Sequence, residues 1–215
     1  MLLFSATIPS WIKEISKKYM RKNRKVLKMF TDSEKRTSVT VKHLVANVSP
    51  RHKVDAIMHL IDSYSKDGRV LIFTNTKSDA NFLSMDLVVD NHVLHSEFEQ
   101  KQREKRLADF KNGDVKVLIA TDVAARGIDI PSVELVIQVH PPQNTEAYIH
   151  RSGRTGRAGR EGVCCTVVNS EQSEHRFSMN KIIKSTNTEV EQIKILPEHL
   201  EDAKIRAEEI KHLKR

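Results

Sequence analysis

Arginine and glycine interleave in one short segment of this chain, residues 150–157, which reads His-Arg-Ser-Gly-Arg-Thr-Gly-Arg. Glycine lets a backbone approach a ligand closely, and the arginine guanidinium is a planar fork of donors that matches phosphate oxygens. At a helix end, Arg154 and Arg157 would project on one side and converge on one anionic group. The alternative is a solvated basic loop, but arginines set between glycines and beside a histidine favour a phosphate site.

A second segment of this kind covers residues 120–131, Ala-Thr-Asp-Val-Ala-Ala-Arg-Gly-Ile-Asp-Ile-Pro. It begins at the carboxyl end of the strand predicted up to Ala120, and open α/β sheets bind ligands at the carboxyl ends of their strands. Thr121 and Asp129 would there bind sugar or backbone hydroxyls. A threonine and an aspartate after a strand also form an ordinary helix start, so these residues alone leave both interpretations open.

Short aliphatic runs alternate with longer helical patterns and so position both segments. The predicted strands, several of them continuously apolar as parallel strands buried on both faces must be, are residues 39–48, 70–74, 92–95, 115–120, 133–139 and 163–168. Helix start signals lie between them at Ser49, Thr76 and Ser96, and Gly113 ends the helix that follows Ser96. This order predicts βαβ units and a doubly wound α/β sheet.

Two segments fall outside this alternation. Residues 10–28 predict an amphipathic helix followed by a basic run, with Trp11 and Tyr19 packed in a core rather than stacked on bases. Residues 197–215 predict an exposed helix of mixed charge. The sequence is therefore divided into an entry segment (1–36), an α/β domain (37–196) and a charged helical extension (197–215).

Composition narrows the class of protein further. The net charge of +8 favours an anionic partner, but residues 13–28 hold eight Lys or Arg and one acid and so carry +7 of it. No apolar run approaches the roughly 20 residues of a membrane helix, which predicts no membrane partner. The adjacent Cys164 and Cys165 would point to opposite faces of a strand, as in a reduced, intracellular protein. His92 and His95 have a metal-like spacing without a second ligand pair, so we predict no metal site.

The order and spacing of these motifs resemble the second RecA-like domain of a DEAD-box RNA helicase over nearly the whole chain. The matching segments are Ser5-Ala6-Thr7, residues 70–77 (VLIFTNTK), the Q-x-x-R element of Gln100 and Arg103, and the segments 121–129 and 150–157. Within the family, residues 4–9 (FSATIP), Trp11 and Ser152 are similar to the nucleolar RNA helicase II or Gu group. In one departure, residues 95–97 read His-Ser-Glu where the family usually has His-Gly-Asp.

This resemblance implies a RecA-like three-layer fold, a mainly parallel sheet with helices on both faces, and a role for each matching residue. Arg154 and Arg157 would be arginine fingers that reach the γ-phosphate of ATP, while Gly127 and Asp129 would bind the nucleotide. The residues implied to contact the RNA backbone are Asn75, Gln100, Arg103, Thr121 and Arg126. The residues implied to couple two helicase domains are Ser5, Thr7, His150 and Arg151.

The implied activity is that of an ATP-dependent RNA helicase, with ATP and Mg²⁺ bound mainly by a first RecA-like domain. Neither a G-x-x-x-x-G-K-[ST] loop nor an Asp-Glu-Ala-Asp motif occurs in the 215 residues. We therefore expect a C-terminal half-enzyme that is inactive as an ATPase alone, with residues 1–36 as the end of the first domain and a linker. The alternative is a non-catalytic RNA-binding or adaptor module.

The implied partners are RNA, bound through its backbone without sequence preference, and the first RecA-like domain of the same polypeptide. The resemblance leaves open a dimer formed through a C-terminal region. The expected location is intracellular: the nucleus or nucleolus if the Gu-like details hold, and the cytoplasm otherwise.

Overall fold

The structure, a computed structural model, describes residues 2–3, 10–27, 37–65, 68–122 and 130–213. The chain divides into two units, residues 1–34 and 35–215. The first unit contains helix α1 (Ser10–Tyr19), as its amphipathic pattern predicted. Ile12 is buried, but Trp11 and Tyr19 are 55% and 61% exposed, so the core packing predicted for these two rings is wrong.

The second unit alternates strands with helices. Its strands are β1 (Val41–Val48), β2 (Val70–Thr74), β3 (Asn91–Leu94), β4 (Val117–Thr121), β5 (Leu135–Gln138), β6 (Gly162–Asn169) and β7 (Glu191–Ile193). Its helices are α2 (Lys53–Tyr64), α3 (Lys77–Asp86), α4 (Gln100–Asn112), α5 (Thr145–Ser152), α6 (Ser173–Thr186) and α7 (Pro197–Leu213), with a short 3-10 turn, Pro50–His52, before α2. The six predicted strands are found to within two residues at each end, and β7 is additional.

The strands form one seven-stranded sheet in the order β3-β4-β2-β5-β6-β1-β7. Every pairing is parallel, so the connections cross over between strands, and a described helix lies in each of them except the one from β4 to β5, where residues 123–129 lie outside the described residues. The predicted doubly wound α/β fold is confirmed. Parallel strands all end at one edge of the sheet, and that carboxyl edge is where the polar residues of interest gather.

Alternating side chains send the core to both faces of the sheet. In β2, Val70 and Ile72 pack on one face, whereas Leu71 and Phe73 pack on the other. Helices α2, α3 and α7 cover the first face, and α4, α5 and α6 cover the second. Cys165 and Cys164 likewise belong to opposite faces and are both free thiols, as predicted.

Helix starts follow the sequence signals only in part. The Thr76 hydroxyl accepts a hydrogen bond from the Asp79 N–H at 3.1 Å, as the capping pattern predicted. At α4 the cap is Glu99 rather than Ser96, and it forms a capping box with Gln102. The prediction at Ser96 is wrong because residues 96–98 form a turn after β3, so the helix begins one turn later.

The C-terminal segment forms a helix, α7, as predicted, but one face of this helix is covered rather than exposed to solvent. Ala203 is 3% exposed, and the ring of His199 stacks on that of His59 in α2 with centroids 4.4 Å apart. Arg206 lies 3.4 Å from the Asp62 carboxylate. One face of α7 therefore packs on α2 despite its charged composition. Among the described residues, none of the helices combines the length and the apolar character of a membrane span.

Candidate functional site at the carboxyl edge of the sheet

The centre of the carboxyl edge is formed by β2 and β4. These strands pair in parallel with Thr74 beside Thr121, so the residues that follow them, Asn75 and Asp122, emerge next to each other. Both strands are fully buried because each is a continuous apolar run. The buried strands thus fix two polar side chains at adjacent points of the edge.

Arg151, from the last turn of α5, binds both of these side chains. Its Nε and Nη2 donate to the two Asp122 carboxylate oxygens, each at 2.7 Å, and Nη2 also donates to Asn75 Oδ1 at 2.9 Å. The guanidinium carbon lies 5.3 Å from the centre of the Phe73 ring. The Arg151 side chain is 1% exposed, so this bidentate pair compensates a charge removed from water.

Asn75 completes the connection across the edge. Its Nδ2 donates to the carbonyl of Pro141, which follows β5, at 3.2 Å. Asn75 is partly exposed, whereas Thr121 is 8% exposed. The ends of β2, β4 and β5 and the end of α5 are therefore tied into one network, which holds this edge in a fixed arrangement.

The loop after α5 carries Arg154 and Arg157. Because α5 ends at Ser152, these arginines do not share a helix, and the helical spacing considered for them does not apply. Thr155 forms a bridge to Val133: its Oγ1 donates to the Val133 carbonyl at 2.5 Å, while the Arg154 carbonyl accepts from the Val133 N–H at 3.1 Å. Backbone contacts thus position the loop.

Gly156 fits a position that a side chain would disrupt. Its φ is +65°, and a Cβ there would lie 2.4 Å from a methyl carbon of Val41. Its carbonyl accepts from the Thr40 hydroxyl at 2.7 Å. Arg154 is partly exposed and Arg157 is exposed, with the Arg157 Nε donating to the Gly153 carbonyl at 2.6 Å. The loop therefore presents two guanidinium groups from a backbone anchored to β1 and to the segment before β5.

The Q-x-x-R element lies at the start of α4. Gln100 and Arg103 are one helical turn apart, and Arg103 Nη1 donates to Gln100 Oε1 at 3.3 Å. One turn further, Arg106 donates to the Val93 carbonyl at 2.7 Å and its guanidinium carbon lies 3.7 Å from the centre of the Phe98 ring. Arg106 thus anchors α4 to β3, and the side chains of Gln100 and Arg103 lie together on the part of α4 closest to the carboxyl edge.

The His-Ser-Glu departure has its own local contacts. His95 is buried and its Nε2 lies 3.1 Å from Asn81 Oδ1, while Lys77 and Glu97 form an ion pair. His92 instead lies 3.0 Å from Asp109 Oδ2. The two histidines therefore have separate partners, and the described residues contain no group of three or more His, Cys, Asp or Glu that could hold a metal ion.

Not every residue singled out in the sequence can be located. Ser5, Thr7, Arg126, Gly127 and Asp129 lie outside the described residues. His150 is exposed on α5. Asp122 had no predicted role, although its place directly after a buried strand is a signal that could have identified it.

These features define a RecA-like domain: a parallel, doubly wound sheet whose carboxyl edge carries the polar network, with an arginine loop after α5. Residues 52–159 match the family model described as the helicase conserved C-terminal domain. The chain belongs to this family, and within it to the DEAD-box RNA helicases.

Curated relatives agree with this assignment. The chain is 42% identical over 192 residues to "DEAD-box ATP-dependent RNA helicase 7" of Oryza sativa, a match that covers 89% of this chain and 27% of the relative. It is 46% identical over 175 residues to "Nucleolar RNA helicase 2" of Mus musculus, covering 80% of this chain and 21% of the relative. The match thus spans about a quarter of the length of these relatives.

Solved structures give the same result. The chain is similar to S. cerevisiae Dbp5 bound to RNA and ADP BeF3, with a TM-score of 0.78 and 29% identity, covering 99% of this chain and 54% of that one. It also matches the C-terminal domain of Dbp5 with a TM-score of 0.66 and 30% identity, covering 80% of this chain and 98% of that domain. The RecA-like fold expected from the resemblance is confirmed.

Proposed function

We propose that this chain is the half of an ATP-dependent RNA helicase that supplies arginine fingers to ATP and backbone contacts to RNA. The observation that carries the proposal is the anchored loop with Arg154 and Arg157. A finger must be in place before the transition state forms, since preorganised charge costs no rearrangement at the moment of reaction. The bridge from Thr155 to Val133 and the bond from Thr40 to Gly156 give the loop that preorganisation.

The RNA contacts follow the carboxyl edge. Gln100 and Arg103 on α4, Thr121 on β4 and Asn75 after β2 would bind sugar and phosphate groups, together with Arg126. Contacts to the backbone position a strand but carry no base information, so binding would not depend on sequence. The related Dbp5 structure that is bound to RNA and ADP BeF3 covers 99% of this chain, which is consistent with this use of the fold.

Arg151 would couple the two RecA-like domains indirectly. It would hold other residues in place rather than contact the other domain itself. Its side chain is almost completely buried and joins the segment at Asp122 to the start of the finger loop. RNA bound along β2 and β4 and ATP bound near Arg154 would thus act on one rigid network. Ser5, Thr7 and His150 would form the interdomain contacts, and Gly127 and Asp129 would bind the nucleotide.

Turnover would need a second RecA-like domain in the same polypeptide. Phosphoryl transfer requires a phosphate cradle and a bound Mg²⁺ besides the fingers, and the 215 residues contain no G-x-x-x-x-G-K-[ST] sequence. ATP with Mg²⁺ would close the two domains around RNA and locally separate a short duplex. The chain alone would bind RNA without hydrolysing ATP.

The test combines an ATPase assay with RNA binding. The isolated chain should show no RNA-stimulated hydrolysis but should bind single-stranded RNAs of different sequence with similar affinity. Arg103→Ala should weaken binding severalfold. The matched control Arg206→Ala removes an arginine of α7 that lies beside Asp62 of α2, and it should leave RNA binding unchanged. ATP hydrolysis by the purified chain, or equal affinities for both variants, would refute the proposal.

The alternative of a non-catalytic adaptor module makes a different prediction. If the chain is an adaptor, replacing Arg154 in a two-domain protein should leave the rate of ATP turnover unchanged.

A nuclear or nucleolar location is proposed from the similarity to a relative named "Nucleolar RNA helicase 2", and fluorescence microscopy of the tagged full-length protein would test it.

A further inference from the structure

Three basic side chains from three different elements meet at the carboxyl edge beside β5. They are Lys53, the first residue of α2; His140, between β5 and α5; and His175, in the first turn of α6. Lys53 Nζ lies 2.9 Å from His140 Nε2, and the rings of His140 and His175 have centroids 5.4 Å apart. All three are partly exposed, so the cluster can be reached from solvent.

The hydrogen bonds assign a proton-donating atom to each member. An ammonium group can only donate, so His140 accepts from Lys53 through Nε2 and carries its own proton on Nδ1. His175 accepts from the Asn169 N–H through Nδ1 at 3.4 Å, which leaves the proton on Nε2. Lys53 retains two further donor hydrogens. The cluster therefore offers donors from three side chains and matches the needs of an anion with several oxygens.

The charges that face the cluster from its neighbours are of both signs. Asp79 of α3 and Arg151 of α5 face His140, and Glu174 faces His175. Burial and the neighbouring Lys53 and His175 lower the pKa of His140 to about 4, and burial lowers the pKa of Lys53. Burial and Lys53 also lower the pKa of His175. Cationic forms are disfavoured here unless an anion joins them.

Backbone electrostatics add to the same effect. Helices α2 and α6 both begin at this cluster, with 12 and 14 residues respectively. Helix N-termini carry a partial positive charge and favour bound phosphate groups. Two helix ends and three basic side chains thus act in the same direction.

The position of the cluster indicates which phosphate would bind. The sheet order runs β3, β4, β2, β5, and the proposed RNA contacts lie on α4 beside β3, on Thr121 of β4 and on Asn75 after β2. His140 follows β5, the next strand in this order, and Asn75 bonds to the adjoining Pro141 carbonyl. A strand that follows these contacts in order reaches the cluster next.

We infer that Lys53, His140 and His175 form a further phosphate subsite, occupied by a backbone phosphate of the RNA strand. The inference rests on the proposed function, since it extends the RNA path by one strand of the sheet. The subsite requires a ligand with several phosphate oxygens. Free inorganic phosphate has the same chemistry as a backbone phosphate of RNA. RNA binding at this subsite should take up protons, because the phosphate favours the charged histidines.

The first experiment measures the salt dependence of RNA binding. Fluorescence anisotropy gives the affinity of the 215-residue chain for a labelled ten-nucleotide oligouridylate between about 50 and 300 mM salt. A single-strand phosphate contact contributes about 0.7 to the slope of log K against log salt. Lys53→Gln should lower the slope by about 0.7, which is about a fivefold loss of affinity at 0.1 M salt.

Two control variants remove the same side-chain types elsewhere. Lys42→Gln removes a lysine whose Nζ lies 2.8 Å from Glu191 at the other side of the sheet, and His92→Gln removes a histidine paired with Asp109. Both should leave slope and affinity unchanged. An unchanged slope for Lys53→Gln would overturn the subsite.

The second experiment uses pH and needs no lysine variant. Affinity should increase as the pH falls from 7.5 to 5.5, by up to tenfold per pH unit for each proton taken up. The double variant His140→Gln/His175→Gln should flatten this dependence, and NMR titration of the wild-type His140 ring should show its pKa rise when the oligouridylate binds. A pH dependence equal in both proteins, or an unmoved pKa, would contradict the inference.

These experiments distinguish RNA from free phosphate as the occupant. They also distinguish a failure of the subsite from a failure of the proposed function. Inorganic phosphate that shifts the His140 resonance, without any shift from the oligouridylate, would overturn RNA as the occupant. If the wild-type chain and Arg103→Ala behave as proposed while Lys53→Gln equals wild type, only the subsite fails. If the wild-type chain does not bind RNA, the proposed function fails and the subsite fails with it.

Discussion

Replacing Asp122 by alanine would leave the Arg151 guanidinium in the core without its carboxylate. Breaking one side of a buried ion pair costs about 3–5 kcal/mol. The Arg151 side chain is 1% exposed, but that of Asp122 is 28% exposed, so water can enter where the carboxylate is removed. We therefore expect the lower end of the range, about 3 kcal/mol of unfolding free energy.

A second substitution should partly reverse this loss. Arg151→Met removes the charge and keeps an apolar chain of similar length over Phe73, while Asp122 regains hydration. The single variant should lose about 1.5 kcal/mol, the lower end of the value of hydrogen bonds to charged groups, because Asp122 regains hydration. The double variant Asp122→Ala/Arg151→Met should lose about the same, and so be more stable than Asp122→Ala alone.

Urea denaturation followed by circular dichroism measures these differences, with an unchanged m-value as the check on two-state behaviour. Glu191→Ala is the matched control, since it breaks an ion pair with Lys42 that is more than half exposed on both sides. It should cost less than about 1 kcal/mol. If Asp122→Ala costs no more than this control, or if Arg151→Met destabilises it further, the buried-pair reasoning is wrong.

Two further predictions concern the arginine loop and the thiols. Gly156→Ala should destabilise the chain more than Gly159→Ala: both have positive φ, at +65° and +75°, but only a Cβ at Gly156 meets Val41, at 2.4 Å. Equal melting temperatures for the two variants would contradict the role given to close packing. Because burial raises the pKa of Cys164 to about 12, both native thiols should be inert to a disulfide reagent at pH 8 and react only after unfolding. Rapid modification of the folded chain would show that β6 opens locally.

The sheet was predictable because its central strands are apolar runs in the sequence. β2 and β4 are buried at every position, as parallel strands covered on both faces must be. β7 was missed because it is short and lies at the sheet edge, with Glu191 and Gln192 exposed. The cap of α4 was misplaced because Ser96 and Glu99 have the spacing of a capping box, and only the turn after β3 moves the helix start to Glu99.

The residues of the site could be predicted from the sequence, but the hydrogen-bonded pairs that they form could not. The resemblance gave Asn75 and Arg151 separate roles, whereas the fold joins them directly: Arg151 Nη2 donates to both Asn75 and Asp122, which are 76 and 29 residues away in the chain. Such a pairing depends on the register of β2 with β4 and on the length of α5, neither of which the motifs encode. The cluster of Lys53, His140 and His175 was missed for the same reason.

The central claim is that Arg154 is a finger for ATP, and steady-state hydrolysis in the full-length protein tests it most directly. With both RecA-like domains present, Arg154→Ala should lower the RNA-stimulated kcat by about 10³-fold or more. RNA affinity should stay within about threefold of wild type, because removing one phosphate contact costs about fivefold and Arg154 is assigned none. A kcat within tenfold of wild type, in a variant that folds and binds RNA normally, would contradict the claim.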